Sequence, residues 1–245
     1  MYSWVFIIIL VAMMAGFVQG VTGFGSGIVM MVFLPHILPI SQSAGVSTLT
    51  MIVANFMVFW HYRKHLHWQR LVRPFSIYIV VAIISLYISQ FLAPTYLKIL
   101  LGVLLVCLSL YYTIMNVRKI NVSSIPLIIM VIFSIISGFF NGMFGIGGPL
   151  MALYFLTISK TKETYLASIQ AFFLIDTVIM TSLRFSMGVL DLNSLKYVAV
   201  GIIGAVIGTI LANRLVRHLN INVMTIFIYI FIGISGLYYL ITALI

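Results

Sequence analysis

Two short segments, residues 16–27 and 138–149, combine several glycines with neutral hydrogen-bonding side chains. Glycine permits backbone conformations that break a helix, and it lets a ligand approach the main chain closely. A broken helix presents unpaired N–H groups and the positive end of its dipole, which together can bind an anion. We therefore predict one substrate-binding site made by Gln19, Thr22, Gly23, Gly25, Ser26, Gly27, Asn141, Gly145, Gly147 and Gly148.

Close helix packing is the alternative use of these glycines. Small residues four positions apart let two helices approach each other in a membrane. For the paired segments we favour binding, because packing alone does not need the further glycines that follow each pair. For Gly204 and Gly208 we favour packing. The pairs with this spacing are Gly16/Gly20, Gly138/Gly142 and Gly204/Gly208.

The two glycine segments are repeats of each other. Residues 16–25 align with residues 138–147 so that all four glycines coincide and Gln19 faces another amide, Asn141. Each half of the chain then consists of one long interrupted apolar block followed by three blocks of single-helix length. The predicted transmembrane repeats are residues 1–120 and 121–245.

The elements that carry these segments must lie in a membrane. Hydrophobic residues make up 63% of the chain and charged residues only 7%, against about 25% charged residues in an ordinary soluble domain. The apolar runs are continuous and lack the alternation of barrel strands, so we predict an all-α integral membrane protein, a polytopic helical bundle without a soluble domain. The eight apolar blocks are residues 3–40, 42–60, 74–93, 95–117, 125–159, 164–183, 195–213 and 222–244.

The basic residues predict how the blocks cross the membrane, because basic loops stay cytoplasmic. Thirteen Lys and Arg accompany three acids; if every block crosses once, these bases divide eight against five. If the first and fifth blocks fold back at their glycines, ten bases share one side and the two repeats are inverted, a plan that recurs in transporters. The ten are Arg63, Lys64, Arg70, Arg73, Arg118, Lys119, Lys160, Lys162, Arg214 and Arg217.

We favour the folded-back arrangement, which places both termini outside the cytoplasm. The glycine-broken segments are then either re-entrant hairpins or pairs of short spans. In this interpretation the basic excess reports topology, and it does not indicate a nucleic-acid-binding surface.

Four further polar residues lie within the apolar blocks or at their ends. Asp176 is flanked by apolar residues, and an acid inside a membrane is a functional candidate by default. It either carries a coupling proton or balances Arg184, and a local pair or a snorkelling side chain is the structural alternative. Arg184 either meets an anionic substrate or anchors its helix at the interface. Gln170 precedes Asp176 in the same block, and Asn55 is the nearest counterpart in the first repeat.

The sequence shows no pattern typical of catalysis, a metal site or a cofactor site. Metalloprotease, serine esterase and paired-aspartate signatures are missing, as are nucleotide-binding motifs. We therefore predict a protein that is not an enzyme, with an ion or substrate gradient as its driving force unless a separate subunit hydrolyses ATP.

A basic loop contains His61, His65 and His67 together with Trp60 and Trp68. This composition favours an interfacial aromatic and cationic belt over metal binding.

The glycine segments also resemble those of the sulfite exporter TauE/SafE family of membrane transporters. The resemblance rests on Gly16-x-x-x-Gly20-x-x-Gly23-x-Gly25-x-Gly27, on Gly138-x-x-x-Gly142-x-x-Gly145-x-Gly147-Gly148-Pro149, and on the loop Gly188-Val189-Leu190-Asp191. The counterpart of that loop in the first repeat, residues 64–68, lacks the glycine and the acid.

The resemblance implies a multi-pass protein of the inner (plasma) membrane that transports small anions, often sulfur-containing, such as sulfite or organosulfonates. Export is the expected direction, and we expect alternating access around a midplane site between the two repeats. The alternative is a passive anion channel or a membrane assembly factor without transport. The expected partners are the anionic substrate and the lipid bilayer, with no nucleic acid and no cofactor. A proton is the candidate coupling ion, and the sequence leaves open whether the chain forms a homo-oligomer.

Overall fold

The structure, a computed structural model, describes residues 3–118, 126–215 and 221–244. Within these ranges the chain contains α-helices and short 3-10 turns and no strand. Lys119 and Arg217, two of the bases used to predict the topology, and the predicted boundary between the repeats lie outside them. The helices are α1 (Ser3–Thr22), α2 (Ser26–Phe33), α3 (Ile40–Thr50), α4 (Ile52–Tyr62), α5 (Trp68–Ser89), α6 (Pro94–Arg118), α7 (Leu127–Phe144), α8 (Gly148–Ile158), α9 (Lys162–Ser186), α10 (Leu195–Leu215) and α11 (Ile221–Leu244).

Each of the two long apolar blocks is divided at glycines into a long helix and a short one. After α1, Gly23 and Gly25 have φ angles of +83° and +93°, and after α7, Gly145 has a φ angle of +67°. Residues with a Cβ rarely adopt such angles, so the helix ends where glycine allows them. Pro149 lies in the first turn of α8, where its missing N–H is not needed. α1 and α7 are long enough to span a membrane, whereas α2 and α8 are not.

The exterior of the bundle is apolar. Seven helical segments of the described chain are long and apolar enough to cross a membrane. Large apolar side chains such as those of Phe6, Phe91 and Leu127 are exposed, while many polar side chains are buried. This distribution suits a lipid environment, and the prediction of an all-helical, polytopic membrane protein is confirmed.

Two of the predicted blocks have different boundaries in the structure. The block predicted at residues 42–60 consists of two helices, α3 and α4, which meet at Met51. α5 begins at Trp68, six residues before the predicted block, and includes Arg70 and Arg73. Hydropathy cannot detect these first turns, because a helix that continues beyond the apolar layer carries polar residues there.

The helices pack in pairs that link the two predicted repeats. α1 packs along α10 and α7 packs along α5, so the first helix of each repeat lies against the third block of the other. The fourth blocks, α6 and α11, pack together, and α4 packs against α9. This exchange of partners makes one bundle of the whole chain.

Glycines bring the first of these pairs into close contact. A Cβ at Gly204 would lie 3.1 Å from the Ile9 carbonyl carbon, and one at Gly208 would lie 2.8 Å from the Phe17 backbone nitrogen. Gly16 and Gly20 face α10 in the same way, so this contact has small residues on both helices. The packing predicted for Gly204 and Gly208 is therefore present.

The basic loop, residues 63–73, lies at the same end of the bundle as the start of α9. Arg70 donates a hydrogen bond of 3.0 Å from Nη1 to the carbonyl oxygen of Ile158, and Arg63–His65 packs against α9. Lys160 and Lys162 adjoin these contacts in the chain. This proximity supports the folded-back arrangement, because a single crossing by every block would place the two groups of bases on opposite sides.

Candidate functional site

A cavity of about 50 Å³ lies where the two glycine breaks meet. The backbone of both breaks and the inner faces of α3, α4 and α9 surround it. Its polar side chains are Gln19, Ser26, Ser47, Thr48, Asn55, Asn141, Asp176 and Thr177. Its glycines are Gly25, Gly27, Gly145, Gly147 and Gly148, and its apolar residues are Ile28, Met51, Ile146, Pro149 and Phe173.

The two breaks approach each other through positions that have no side chain. A Cβ added to Gly27 would lie 2.7 Å from the carbonyl oxygen of Gly145, and one added to Gly148 would lie 3.5 Å from Phe24 Cβ. A Cβ at Gly145 would lie 2.8 Å from Thr48 Cγ2 on α3. A larger residue at Gly27 would force the two breaks apart, and one at Gly145 would push the second break away from α3, so both contacts around the cavity need glycine.

The N-termini of both short helices lie at this cavity. Gly25 is the N-cap of α2 and Gly147 is the N-cap of α8, and neither helix has a side-chain cap. The first N–H groups of a helix have no intrahelical partner, and they carry the positive end of the helix dipole. Ser26, Gly27 and Gly148, which follow these caps, line the cavity. Two sets of backbone donors therefore surround the same small space.

A network of amides holds the first break. Gln19 donates from Nε2 to Asn55 Oδ1 and also, at 3.4 Å, to Gln170 Oε1. Gln170 in turn donates from Nε2 to the carbonyl oxygen of Gly23 at 2.9 Å. All three amides are buried, and together they connect α1, α4 and α9 to the break.

A corresponding pair lies beside the second break. Asn141 donates from Nδ2 to Asp176 Oδ1 at 2.9 Å, and both residues are buried and line the cavity. In each predicted repeat, an amide on the long helix bonds a side chain in the next block, which is Asn55 in the first and Asp176 in the second. The Gln19–Asn55 pair is neutral, whereas the second pair contains a carboxyl group.

Arg184 binds the backbone of α7 just before the second break. Its side chain is fully buried, and Nη2 donates to the carbonyl oxygens of Asn141 and Gly142, each at 3.1 Å. These carbonyls belong to the last turn of α7, and that of Asn141 also accepts a hydrogen bond of 2.8 Å from the Gly145 N–H. Arg184 interacts with Asp176 by charge, but within the described chain its Nε and Nη1 have no hydrogen-bond partner. The structure places this guanidinium inside the protein.

A second, larger cavity of about 660 Å³, here called the vestibule, lies at the start of α3. The α5–α6 turn and the loop after α9 also line it, and Lys98 and Gln42 contribute polar groups. Gln42 and Ser47 are five residues apart on α3, or about 7.5 Å along the helix axis. The vestibule is therefore about one and a half turns of a helix away from the central cavity.

The loop after α9 has a structural cap. Asp191 accepts hydrogen bonds from the Ser194 hydroxyl (2.5 Å) and backbone N–H (2.8 Å). These bonds hold the pKa of Asp191 below its ordinary value. Leu190 is buried, and its side chain occupies the space that a Cβ on Gly45 would need. The loop residues that resemble the transporter family therefore fix the end of α9 against α3.

The structure brings most of the predicted site residues together, although four of them do not line the cavity. Thr22 uses its hydroxyl within the turn, where it bonds the carbonyl oxygens of Val18 (2.9 Å) and Phe24 (2.7 Å). Gly23 and Gln170 shape the first break, and Arg184 supports the second one. The predicted residues that line the cavity are Gln19, Gly25, Ser26, Gly27, Asn55, Asn141, Gly145, Gly147, Gly148 and Asp176.

Sequence reasoning missed the contribution of α3. Ser47 and Thr48 line the cavity, and the Ser47 hydroxyl is fully buried without a hydrogen-bond partner. The signal available in the sequence was the unusual number of hydroxyl side chains in residues 41–50. Thr177 and Phe173 on α9 were also missed, although both adjoin Asp176 on the helix.

Long apolar helices surround a small buried polar cavity, and this arrangement defines a polytopic membrane protein. The family model for the sulfite exporter TauE/SafE matches residues 8–239. The chain belongs to this family of membrane transporters, and it is therefore a transporter of small anions in a lipid bilayer and not an enzyme. Searches among curated proteins and among solved structures gave no significant match.

Proposed function

We propose that the protein is a secondary transporter that exports small anions, sulfur-containing ones such as sulfite or organosulfonates, across the inner (plasma) membrane. The observation that carries this proposal is the convergence of two helix N-termini on one cavity. Backbone N–H groups and helix dipoles bind anions without a fixed positive charge. Such a site can release its ligand more easily than one built on a direct ion pair.

The buried Ser47 hydroxyl independently supports a ligand in this cavity. A buried hydroxyl without a partner costs free energy, roughly 1–3 kcal/mol. Its oxygen belongs to a residue that lines the cavity. An anion in the cavity would accept its hydrogen and remove that cost. The small volume favours compact anions, since a single water already needs roughly 10–15 Å³ of such cavity space.

We infer that the vestibule is the route by which the anion reaches or leaves the site on one side of the membrane. Its Lys98 gives it a positive group that attracts anions. Alternating access then moves two parts of the bundle relative to each other, so that the central cavity opens towards the vestibule or away from it. The cross-packed pairs α1–α10 and α7–α5 are the rigid units of this motion.

The test is transport by the purified protein in proteoliposomes. Labelled sulfite, an organosulfonate and a simple carboxylate are supplied with and without a proton gradient. A secondary transporter shows saturable uptake and counterflow, in which unlabelled anion on one side drives labelled anion from the other. A passive channel shows flux without saturation or counterflow. Failure of every anion to cross would contradict the proposal and favour an assembly factor.

The glycine breaks provide a direct test of where the substrate binds. Gly25→Ala places a Cβ at a φ angle of +93° beside the cavity. Gly147→Ala pushes against the Tyr78 ring, 2.8 Å from Cε2. We expect flux to fall by at least about tenfold in each, since displacing binding groups by about 1 Å can cost 100-fold in rate.

Gly188→Ala is the matched control for these variants. It adds a Cβ at a similar φ angle of +71°, but no atom lies within 4 Å of that position, which borders the wide vestibule and not the central cavity. It should therefore reproduce the backbone strain of Gly25→Ala without the loss of flux. Equal flux in all three variants would remove the breaks from the binding site.

A further inference from the structure

We propose that the anion binds together with one proton, and that the carboxyl group of Asp176 carries this proton. The inference rests on the proposed function and names its coupling ion and the residue responsible. The proton removes one negative charge from the transported unit and so makes transport depend on the proton gradient.

The position of Asp176 carries this inference. Its side chain is 3% exposed and lines the same cavity as the N-termini of α2 and α8. Its Oδ1 accepts a hydrogen bond from Asn141. A bound anion in a cavity of about 50 Å³ must therefore lie within a few ångströms of this carboxyl group.

The groups around Asp176 do not neutralise it by direct contact. Tyr78 on α5, Asn141 on α7 and Arg184 on its own helix interact with it, and Arg184 directs Nη2 to two carbonyl oxygens of α7. From α3 and α4 the cavity receives the neutral side chains of Ser47, Thr48 and Asn55. The titratable groups of α4 and α8 are His61, Tyr62 and Tyr154, none of which lines the cavity or acts on Asp176.

The balance of charge then requires a proton. With Asp176 ionised, its charge and that of Arg184 cancel, so the empty site is neutral overall. An added anion brings an uncompensated negative charge next to a carboxylate in a water-poor interior, where Coulomb repulsion is strong. One proton on the carboxyl group removes that repulsion and provides an O–H donor for the anion.

The first repeat shows that the fold itself does not need an acid at this position. Asn55 occupies the corresponding place, where it accepts a hydrogen bond from Gln19 as Asp176 does from Asn141. A neutral amide therefore serves the structural role. Besides balancing the charge of Arg184, the carboxyl group adds the capacity to bind and release a proton.

The experiment measures binding of sulfate to the purified protein in nanodiscs, from mildly acidic to mildly alkaline pH. Sulfate is chosen because its own charge does not change over this range. For the wild-type protein we expect apparent affinity to fall as pH rises, by up to about tenfold per pH unit for one linked proton. Asp176→Asn, a permanently neutral copy of the Asn55 arrangement, should bind sulfate with the same affinity at every pH.

Two further variants separate this role from a general effect of charge. Asp191→Asn removes an acid that lies outside the cavity and preserves a good helix cap. Hydrogen bonds from Ser194 hold the pKa of Asp191 low, so it stays ionised over the range, and this variant should keep the wild-type pH dependence. Asp176→Glu, which retains a carboxyl group, should also remain pH-dependent.

Transport gives a second measurement of the same proposal. In proteoliposomes, Asp176→Asn should still exchange labelled for unlabelled anion but should not accumulate anion in response to a proton gradient. A wild-type affinity that is constant with pH would overturn the inference while leaving the proposed function intact. Failure of the wild-type protein to bind or move any anion would instead contradict the proposed function.

Discussion

Hydroxyl side chains in this protein illustrate how one residue type serves two roles. Thr48 donates to the carbonyl oxygen of Ala44 at 3.1 Å, within its own helix. Ser47, one position earlier, is buried and has no such partner. The Thr48 hydroxyl uses its donor on the backbone of its own helix, whereas the Ser47 hydroxyl is available to donate a hydrogen bond to a ligand. Removal of the Ser47 hydroxyl tests this difference.

Ser47→Ala should weaken anion binding by about 3- to 10-fold, the value of one ordinary hydrogen bond. It should not lower the melting temperature, because the hydroxyl lacks a partner in the ligand-free structure. Thr50→Val is the matched control, since Thr50 is also buried without a partner but does not line the cavity. Sulfate titration and a thermal melt of both variants provide the measurements. Equal loss of binding in both would contradict a ligand role for Ser47.

The same contrast explains which site residues the sequence could predict. An acid inside an apolar block is conspicuous, because burying it is costly, and this predicts Asp176 as a functional residue. Gln19 and Asn141 are predicted from their positions in the two glycine segments. Serine and threonine satisfy themselves on the preceding turn of a helix, so their presence alone does not distinguish Ser47 from Thr48. That distinction depends on side-chain rotamers and on the neighbouring helices, which the sequence does not state.

At the scale of elements, the contact between α1 and α10 depends on the absence of side chains. Gly208 lies against the backbone of α1 near Met13 and Phe17. Backbone atoms cannot move aside as a flexible side chain can, so a larger residue must separate the two helices. Separation here would also displace Gln19, which lies on α1 beside the first break.

Gly208→Val should therefore destabilise the folded protein by about 1–3 kcal/mol, the usual cost of overpacking a tight contact. Ala199→Val adds bulk to an exposed position of the same helix and should have little effect. Thermal unfolding in detergent, followed by the loss of monodisperse protein, compares the two. An unchanged melting temperature for Gly208→Val would show that α1 and α10 have room to adjust.

The elements themselves were predictable to different degrees. Hydropathy located the spans and the glycines located the interruptions, because both are local properties of the chain. The end of α9 was harder to predict. Arg184 stands at the end of an apolar block, but the helix continues to Ser186, and the N–H groups of Val189 and Leu190 fold back to the Arg184 carbonyl oxygen. The Arg184 guanidinium is therefore buried at a position that hydropathy alone would assign to the membrane interface.

At the scale of the whole molecule, the distribution of bases predicts the orientation in the membrane. The contact between Arg70 and the end of α8 gathers two basic groups at one end of the bundle, and basic ends stay cytoplasmic. Both termini should then lie outside the cytoplasm. A reporter active only in the cytoplasm should be inactive when fused after residue 245.

The same reporter inserted into the basic loop after residue 65 is the control, and it should be active. Activity at the C-terminus would contradict the inverted arrangement.

The sequence could suggest this arrangement from charge alone, but it could not show that α1 packs on α10 and α7 on α5. These helices are distant in the chain. Whether they pack together depends on how their faces with small residues fit against each other.

The difference between Asn55 and Asp176 has a consequence for the energetics of the proposed transport cycle. Two identical inverted repeats could exchange conformations, and the states open to either side would then have equal free energy. A carboxyl group in one repeat alone removes this equivalence, and the size of the difference depends on whether the group is protonated. The resting orientation of the empty protein then becomes a function of pH, and one acid in a neutral framework gives the cycle its preferred starting side.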